Sequence, residues 1–105
     1  MVKPSDFRAI VRRGRRASSP STLIYRIERE QTDPARFGFI VAKTVGNAVE
    51  RNLVRRRMRA VCRSIVDAGG SGSDVVVRAL PGSAQRDWTS LSAEMHAILD
   101  PALIR

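Results

Sequence analysis

The chain has 105 residues, 43% of them hydrophobic, and sets 19 Lys+Arg against 10 Asp+Glu for a formal charge of +9. That length and apolar share fit one domain, residues 1–105, with a single core rather than a disordered tail, and the charge calls for a polyanionic partner, nucleic acid or an anionic membrane surface. A lone cysteine, Cys62, excludes an internal disulfide and a cysteine-built zinc site; no apolar run approaches the ~20 residues of a membrane span, and Met1-Val2-Lys3-Pro4-Ser5-Asp6 lacks the apolar stretch of a signal peptide.

Residues 5–13 read as a short helix, with Ser5 as N-cap and Gly14 as a left-handed C-terminal cap. Phe7, Ile10 and Val11 recur at i, i+3, i+4 as its apolar stripe, ringed by Arg8, Arg12, Arg13, Arg15 and Arg16. Residues 17–21 read as a linker or irregular edge. Residues 22–29 read as a strand, with Leu23, Tyr25 and Ile27 on one face and Ile24, Arg26 and Glu28 on the other. A turn at Gln31-Thr32-Asp33-Pro34 leads to a strand over residues 36–43, apolar on both faces as a central strand should be.

Gly46-Asn47-Ala48-Val49-Glu50 announces a helix running to about Val66, capped by Asn47 with Glu50 returning to the cap amide. Gly69-Gly70-Ser71-Gly72-Ser73 ends it, and residues 74–80 read as a buried strand. After the turn Pro81-Gly82-Ser83, Asp87 N-caps a last helix whose apolar stripe Trp88, Leu91, Met95, Ile98 and Leu99 is expected in the core. His96 is expected as a partly exposed neutral residue and Cys62 as a small core residue.

The positive charge is segregated. Residues 1–16 carry net +5 and residues 43–63 net +6, whereas residues 64–105 carry −2. At about 100° per residue the long helix divides into two faces. Val54, Met58, Val61 and Ile65 face the sheet; Arg51, Arg55, Arg59 and Arg63 form an i, i+4 row flanked by Asn52 and Arg56, with Val49, Leu53 and Ala60 as a minor apolar edge. Like charges at this spacing destabilise a helix by a few tenths of a kcal/mol per pair, and Glu50 is the one acid available to offset them. A merely solvated face mixes signs, so the neutralising charge is expected from outside. An interfacial membrane helix would want bulky Trp, Phe or Leu opposite its cations; here that face is small and aliphatic.

The run Phe37-Gly38-Phe39-Ile40-Val41-Ala42-Lys43-Thr44-Val45-Gly46-Asn47-Ala48-Val49-Glu50-Arg51-Asn52-Leu53-Val54-Arg55-Arg56-Arg57-Met58-Arg59 resembles the signature of the bacterial ribonuclease P protein component. Residues 6–16 resemble that family's N-terminal helix, and Asp74-Val75-Val76-Val77-Arg78-Ala79-Leu80 its last strand with a Trp-led helix after it. The resemblance implies an α+β fold, an α/β sandwich with a mixed sheet of about four strands packed by helices and a left-handed βαβ crossover, a ribosomal-protein-like domain that departs from the right-handed rule. It implies the protein subunit of ribonuclease P, monomeric and cytoplasmic, bound to a catalytic RNA subunit that acts through Mg²⁺ and to the 5′ leader of precursor tRNA. No catalytic or metal-binding residue is expected in the protein itself.

By the same resemblance Arg51, Asn52, Arg55, Arg56 and Arg59 would face RNA, joined by the N-terminal Arg12, Arg13, Arg15 and Arg16, and Phe7, Tyr25 and Lys43 would line the leader cleft. Single-stranded RNA needs stacking surfaces beside a basic groove, although Phe7 and Tyr25 also fit a core role, pinning the first helix and alternating with Leu23 and Ile27. The chain departs from the family pattern at Leu53, where a second Arg is usual and Arg57 is the nearest substitute, at Thr44, often Lys, and at Val11, often Phe. Two alternatives remain at this level: a metal-dependent nuclease acting alone, whose acids would have to cluster though Asp67, Asp74, Asp87, Glu94 and Asp100 are scattered, and a ribosomal or other structural RNA-binding protein.

Overall fold

The alternation of residues 22–28 divides the molecule into two apolar layers. Leu23, Tyr25 and Ile27 face one side of the sheet and Ile24 the other, so each side is covered by a different set of helices. The computed structural model describes residues 4–28, 35–68 and 72–99. They form α1 (Pro4–Arg13), β1 (Arg15–Ser18), β2 (Thr22–Glu28), β3 (Arg36–Ile40), α2 (Ala48–Asp67), β4 (Ser73–Ala79) and α3 (Trp88–Leu99), with single 3₁₀ turns at Lys43–Val45 and Ser83–Gln85. The sheet order is β1-β2-β4-β3. β2 pairs antiparallel with β1 and β4, while β3 pairs parallel with β4, the two joined through α2. The mixed four-stranded sheet and helical layers are those expected.

On one face α1 seats Ile10 against Tyr25 and Val76, with Phe7, Val11, Leu23, Ile27 and Ile40 half-buried around them. On the other, α2 and α3 bury Val54, Met58, Val61, Ile65, Leu91, Met95 and Leu99 against Ile24, Phe37, Val75 and Val77. Full burial of such side chains contributes roughly 1.5–3 kcal/mol each, which makes the helix layer the main source of stability. Cys62 lies in it at 3% exposure, and burial pushes its thiol far above the usual range.

Five expectations are corrected. Strand β3 is an edge strand ending at Ile40 and not a central one; both its faces are apolar because Phe37 packs in the helix layer and Ile40 on the α1 face. Ala17 and Ser18, expected in a linker or irregular edge, join Arg15 and Arg16 in edge strand β1; all four are exposed, because an edge strand is held by its backbone ladder and needs no apolar alternation. Gly14 is not a left-handed cap, since the glycines at positive φ are Gly46, Gly72 and Gly82. Its role is close approach: a Cβ there would sit 2.5 Å from the Ile10 carbonyl oxygen and 3.0 Å from the Arg26 backbone. Helix α1 starts at Pro4, so Ser5 lies inside it; proline suits a first turn because its missing N–H has no helical partner there. Trp88 is not core. It opens α3 at 44% exposure, whereas Leu91, Met95 and Leu99 are 0–1% exposed. Position 88 shares the stripe's spacing but is the helix's first residue and lies outside the buried cluster that takes in Leu91, Met95 and Leu99. The turn at Gln31–Pro34 and most of the Gly-Ser stop after α2 lie outside the described residues.

Candidate nucleic-acid interface

Helix α2 begins as its sequence requires. The Asn47 side chain accepts from the Glu50 backbone N–H at 2.8 Å, and Glu50 Oε1 accepts from the Asn47 N–H at 3.0 Å. Gly46 makes room for this: at φ +156° its Cβ would lie 2.6 Å from Glu50 Oε1. Glu50 Oε2 takes a further bond from Gln85 Nε2 at 2.8 Å. The single acid in residues 43–63 is thus occupied in holding the helix start, and it leaves the arginines beyond the first turn unmatched.

Those arginines are not equivalent. Asn52, Arg56, Arg59 and Arg63 are exposed on the outer arc, while Arg51 and Arg55 are half-buried on the flank. Arg55 donates to Asn52 Oδ1 at 3.2 Å, which aligns two of the expected contacts side by side. Arg57 does not substitute for the arginine missing at Leu53, because its guanidinium donates to the Arg86 carbonyl at 2.9 Å and ties α2 to the start of α3. Val49, on the minor apolar edge, is 77% exposed.

The N-terminal arginines do not converge. Arg12 and Arg13 are exposed on the last turn of α1. On β1, Arg16 pairs with Tyr25 and so belongs to the α1 face, whereas Arg15 pairs with Arg26 on the helix-layer face. Phe7 and Tyr25 do come together beneath α1, but Tyr25 is only 7% exposed and packs on Ile10 and Val76. Its ring is chiefly a core element, and Phe7 is the more open of the two. Lys43 is exposed in the 3₁₀ turn past β3, across β4 from them. One residue on this face went unnoticed as a site candidate: Arg78, exposed in an otherwise buried β4 and flanked in register by Leu23 and Ile40. The signal was a charge interrupting Val75-Val76-Val77 and Ala79-Leu80.

Three further acids work for the fold. Asp74 receives Arg36 through Nε at 2.9 Å and NH2 at 2.6 Å. Glu94 pairs with Arg86 and accepts from Ser21 Oγ, and the Arg86 bond is the main cause holding its carboxyl below the usual range. Asp87 caps α3 by accepting from Ser90 N–H at 2.7 Å, which lowers its carboxyl likewise. His96 is half-buried, with Nε2 at 3.5 Å from Ser64 Oγ. Among the described residues no three His, Cys, Asp or Glu converge as a metal site, and no helix is long and apolar enough to cross a membrane.

Comparison with known proteins places this architecture. The profile of the family described as Ribonuclease P matches residues 1–103. The ribonuclease P protein component of Clavibacter michiganensis is 41% identical over 99 residues, covering 94% of this chain and 88% of that one. That of Streptomyces avermitilis is 42% identical over 106 residues, covering 93% and 86%. The solved ribonuclease P protein of Staphylococcus aureus superposes with a TM-score of 0.82 at 24% identity, over 99% of this chain and 94% of the other. The Thermotoga maritima protein gives 0.80 at 21% identity, over 90% and 89%. These two likenesses bear on the fold.

Proposed function

The chain belongs to the ribonuclease P protein family, and on that premise we propose how it serves this tRNA-processing ribonuclease. It binds the ribonuclease P RNA through the outer arc of α2 and receives the 5′ leader of precursor tRNA on the α1 face of the sheet. Cleavage is carried out by the RNA subunit with Mg²⁺, and the protein contributes cations that relieve phosphate crowding. It acts as a monomer in the cytoplasm, in keeping with its one buried thiol. The observation that carries this reading is the run of exposed Arg56, Arg59 and Arg63 with Asn52, facing outward with none of the three arginines ion-paired among the described residues, while Glu50 is spent on the helix cap. Arg51 and Arg55 extend the contact along the flank, and Arg12, Arg13, Arg15 and Arg16 add cations at the N-terminal side. For the leader, Phe7 offers the stacking surface, Tyr25 supports it from below, and Lys43 with Arg78 supplies charge from the exposed strand ends.

Reconstitution tests this. Protein alone should leave precursor tRNA intact, and its addition to the RNA subunit should raise cleavage most at low Mg²⁺. Metal-dependent cleavage by protein scrupulously freed of RNA would overturn the assignment of catalysis.

A further inference from the structure

Between the β1–β2 ribbon and the last turn of α3 lies a cavity of about 270 Å³. Its floor is apolar, made by Ile24, Leu99 and the half-buried Ile98; its rim carries Arg15 and Arg26, and Arg16, whose side chain belongs to the opposite face, also borders it. Arg15 and Arg26 are direct cross-strand partners in an antiparallel pair. Side chains so placed start roughly 5 Å apart, and like charges there repel. Among the described residues none of the three arginines has an ion pair or side-chain hydrogen bond. Glu28, the next acid along this face of β2, is exposed and pairs with neither. Elsewhere the fold supplies an acid where an arginine is held, as Asp74 for Arg36 and Glu94 for Arg86. Here it sets two arginines in direct cross-strand register beside an apolar floor and, among the described residues, supplies none.

That combination matches one chemistry. A phosphate takes paired N–H bonds from each of two adjacent guanidiniums, and an apolar floor of this size, near the lower end of ligand cavities of roughly 300 Å³, accepts a ribose or a base. We propose that the cavity holds one unpaired nucleotide of the ribonuclease P RNA, its phosphate between Arg15 and Arg26 and its base or sugar against Ile24, Ile98 and Leu99. The source is the RNA subunit rather than the leader, because the cavity opens on the helix-layer face shared with α2, and Phe7 lies on the opposite face. RNA gripped here and on α2 is held at both margins of that layer, since β1 and β3 are the two sheet edges. The inference rests on the RNA-binding reading above.

Binding of an RNA-subunit transcript to the full chain, followed across a salt series, tests it. Arg15→Ala and Arg26→Ala should each weaken binding about tenfold and flatten the log–log salt slope by roughly 0.7–0.9, with an unchanged or higher melting temperature. Ala17→Ile fills the cavity from an exposed strand position without altering charge; it should weaken binding about three- to tenfold and leave the slope intact. Losses at the arginines with normal binding by Ala17→Ile would mean diffuse electrostatics and sink the nucleotide pocket. Normal binding by both arginine variants would also sink it, and a simultaneous loss in Arg56→Ala would show that RNA binding itself stands. If the unaltered chain shows no salt-dependent binding, the RNA-binding reading fails and the pocket with it.

Discussion

Arg36 on β3 and Arg86 before α3 are matched by acids; the arginines on the outer arc of α2 are not. Arg36 grips Asp74 with two nitrogens and joins β3 to β4, and Arg86 grips Glu94 eight positions on and ties the approach of α3 to that helix. Arg56, Arg59 and Arg63 project outward with no such partner. The two groups carry the same side chain and serve opposite ends. A paired guanidinium has its donors satisfied and holds the fold, and an unpaired one keeps its fork free for phosphate while costing the helix a little repulsion. Charge counting alone therefore misjudges which cations bind, and pairing sorts them. Arg57 shows the point: it lies within the arginine run, yet the Arg86 carbonyl has claimed it.

The contrast can be broken or sharpened in four ways. The largest effect belongs to the apolar support of the paired region. Leu91→Ala should cost about 2–5 kcal/mol in denaturant unfolding by opening a core cavity, while Trp88→Ala, at an exposed position on the same helix, should cost less than about 1 kcal/mol. Equal losses would return Trp88 to the core. Next, Arg36→Ala should cost about 1–3 kcal/mol because a buried carboxylate loses its bidentate partner, and the salt slope of RNA-subunit binding should stay the same. A flatter slope would move Arg36 into the binding group.

The reverse pattern is expected on α2. Arg56→Ala and Arg59→Ala should each flatten the slope by about 0.7–0.9, and unfolding free energy should hold or rise by a few tenths of a kcal/mol as like-charge repulsion is relieved. The smallest effect is Glu94. Its folded carboxyl is held below its ordinary value chiefly by Arg86, so the stability it adds is present above the unfolded pKa and lost as pH falls through the lower folded value. Glu94→Gln should make the acid limb of the stability curve shallower below about pH 4.3, and an unaltered limb would show that the half-buried Arg86 pair adds nothing.

Much of this was legible in residue order. Asn47 and Glu50, three apart after Gly46, produce the capping box, and the alternation of Leu23 to Ile27 divides the two apolar layers. Strand β1 was not legible, because its pairing runs through backbone groups that every residue owns. Gly14 stands at a cap position by sequence, but a Cβ there would meet the Ile10 carbonyl and also the Arg26 backbone, twelve positions away and near only after folding. Arg78 passed as one more strand residue until its neighbours Leu23 and Ile40 showed which face it leaves.

The sequence by itself determined the three helices, three of the four strands, the apolar stripe of α2, and the family, since all rest on spacing within a short stretch of chain. Periodicity and capping act over a few residues, where geometry is set by covalent connection. Tertiary structure alone decided which members of each pattern are covered and which arginines are spoken for. Trp88 and Leu91 share one stripe and differ in exposure because the packed core takes in one and not the other, and Arg15 meets Arg26 only through the pairing of β1 with β2. Burial and charge pairing are properties of surfaces brought together, and a linear pattern carries no measure of what will lie opposite.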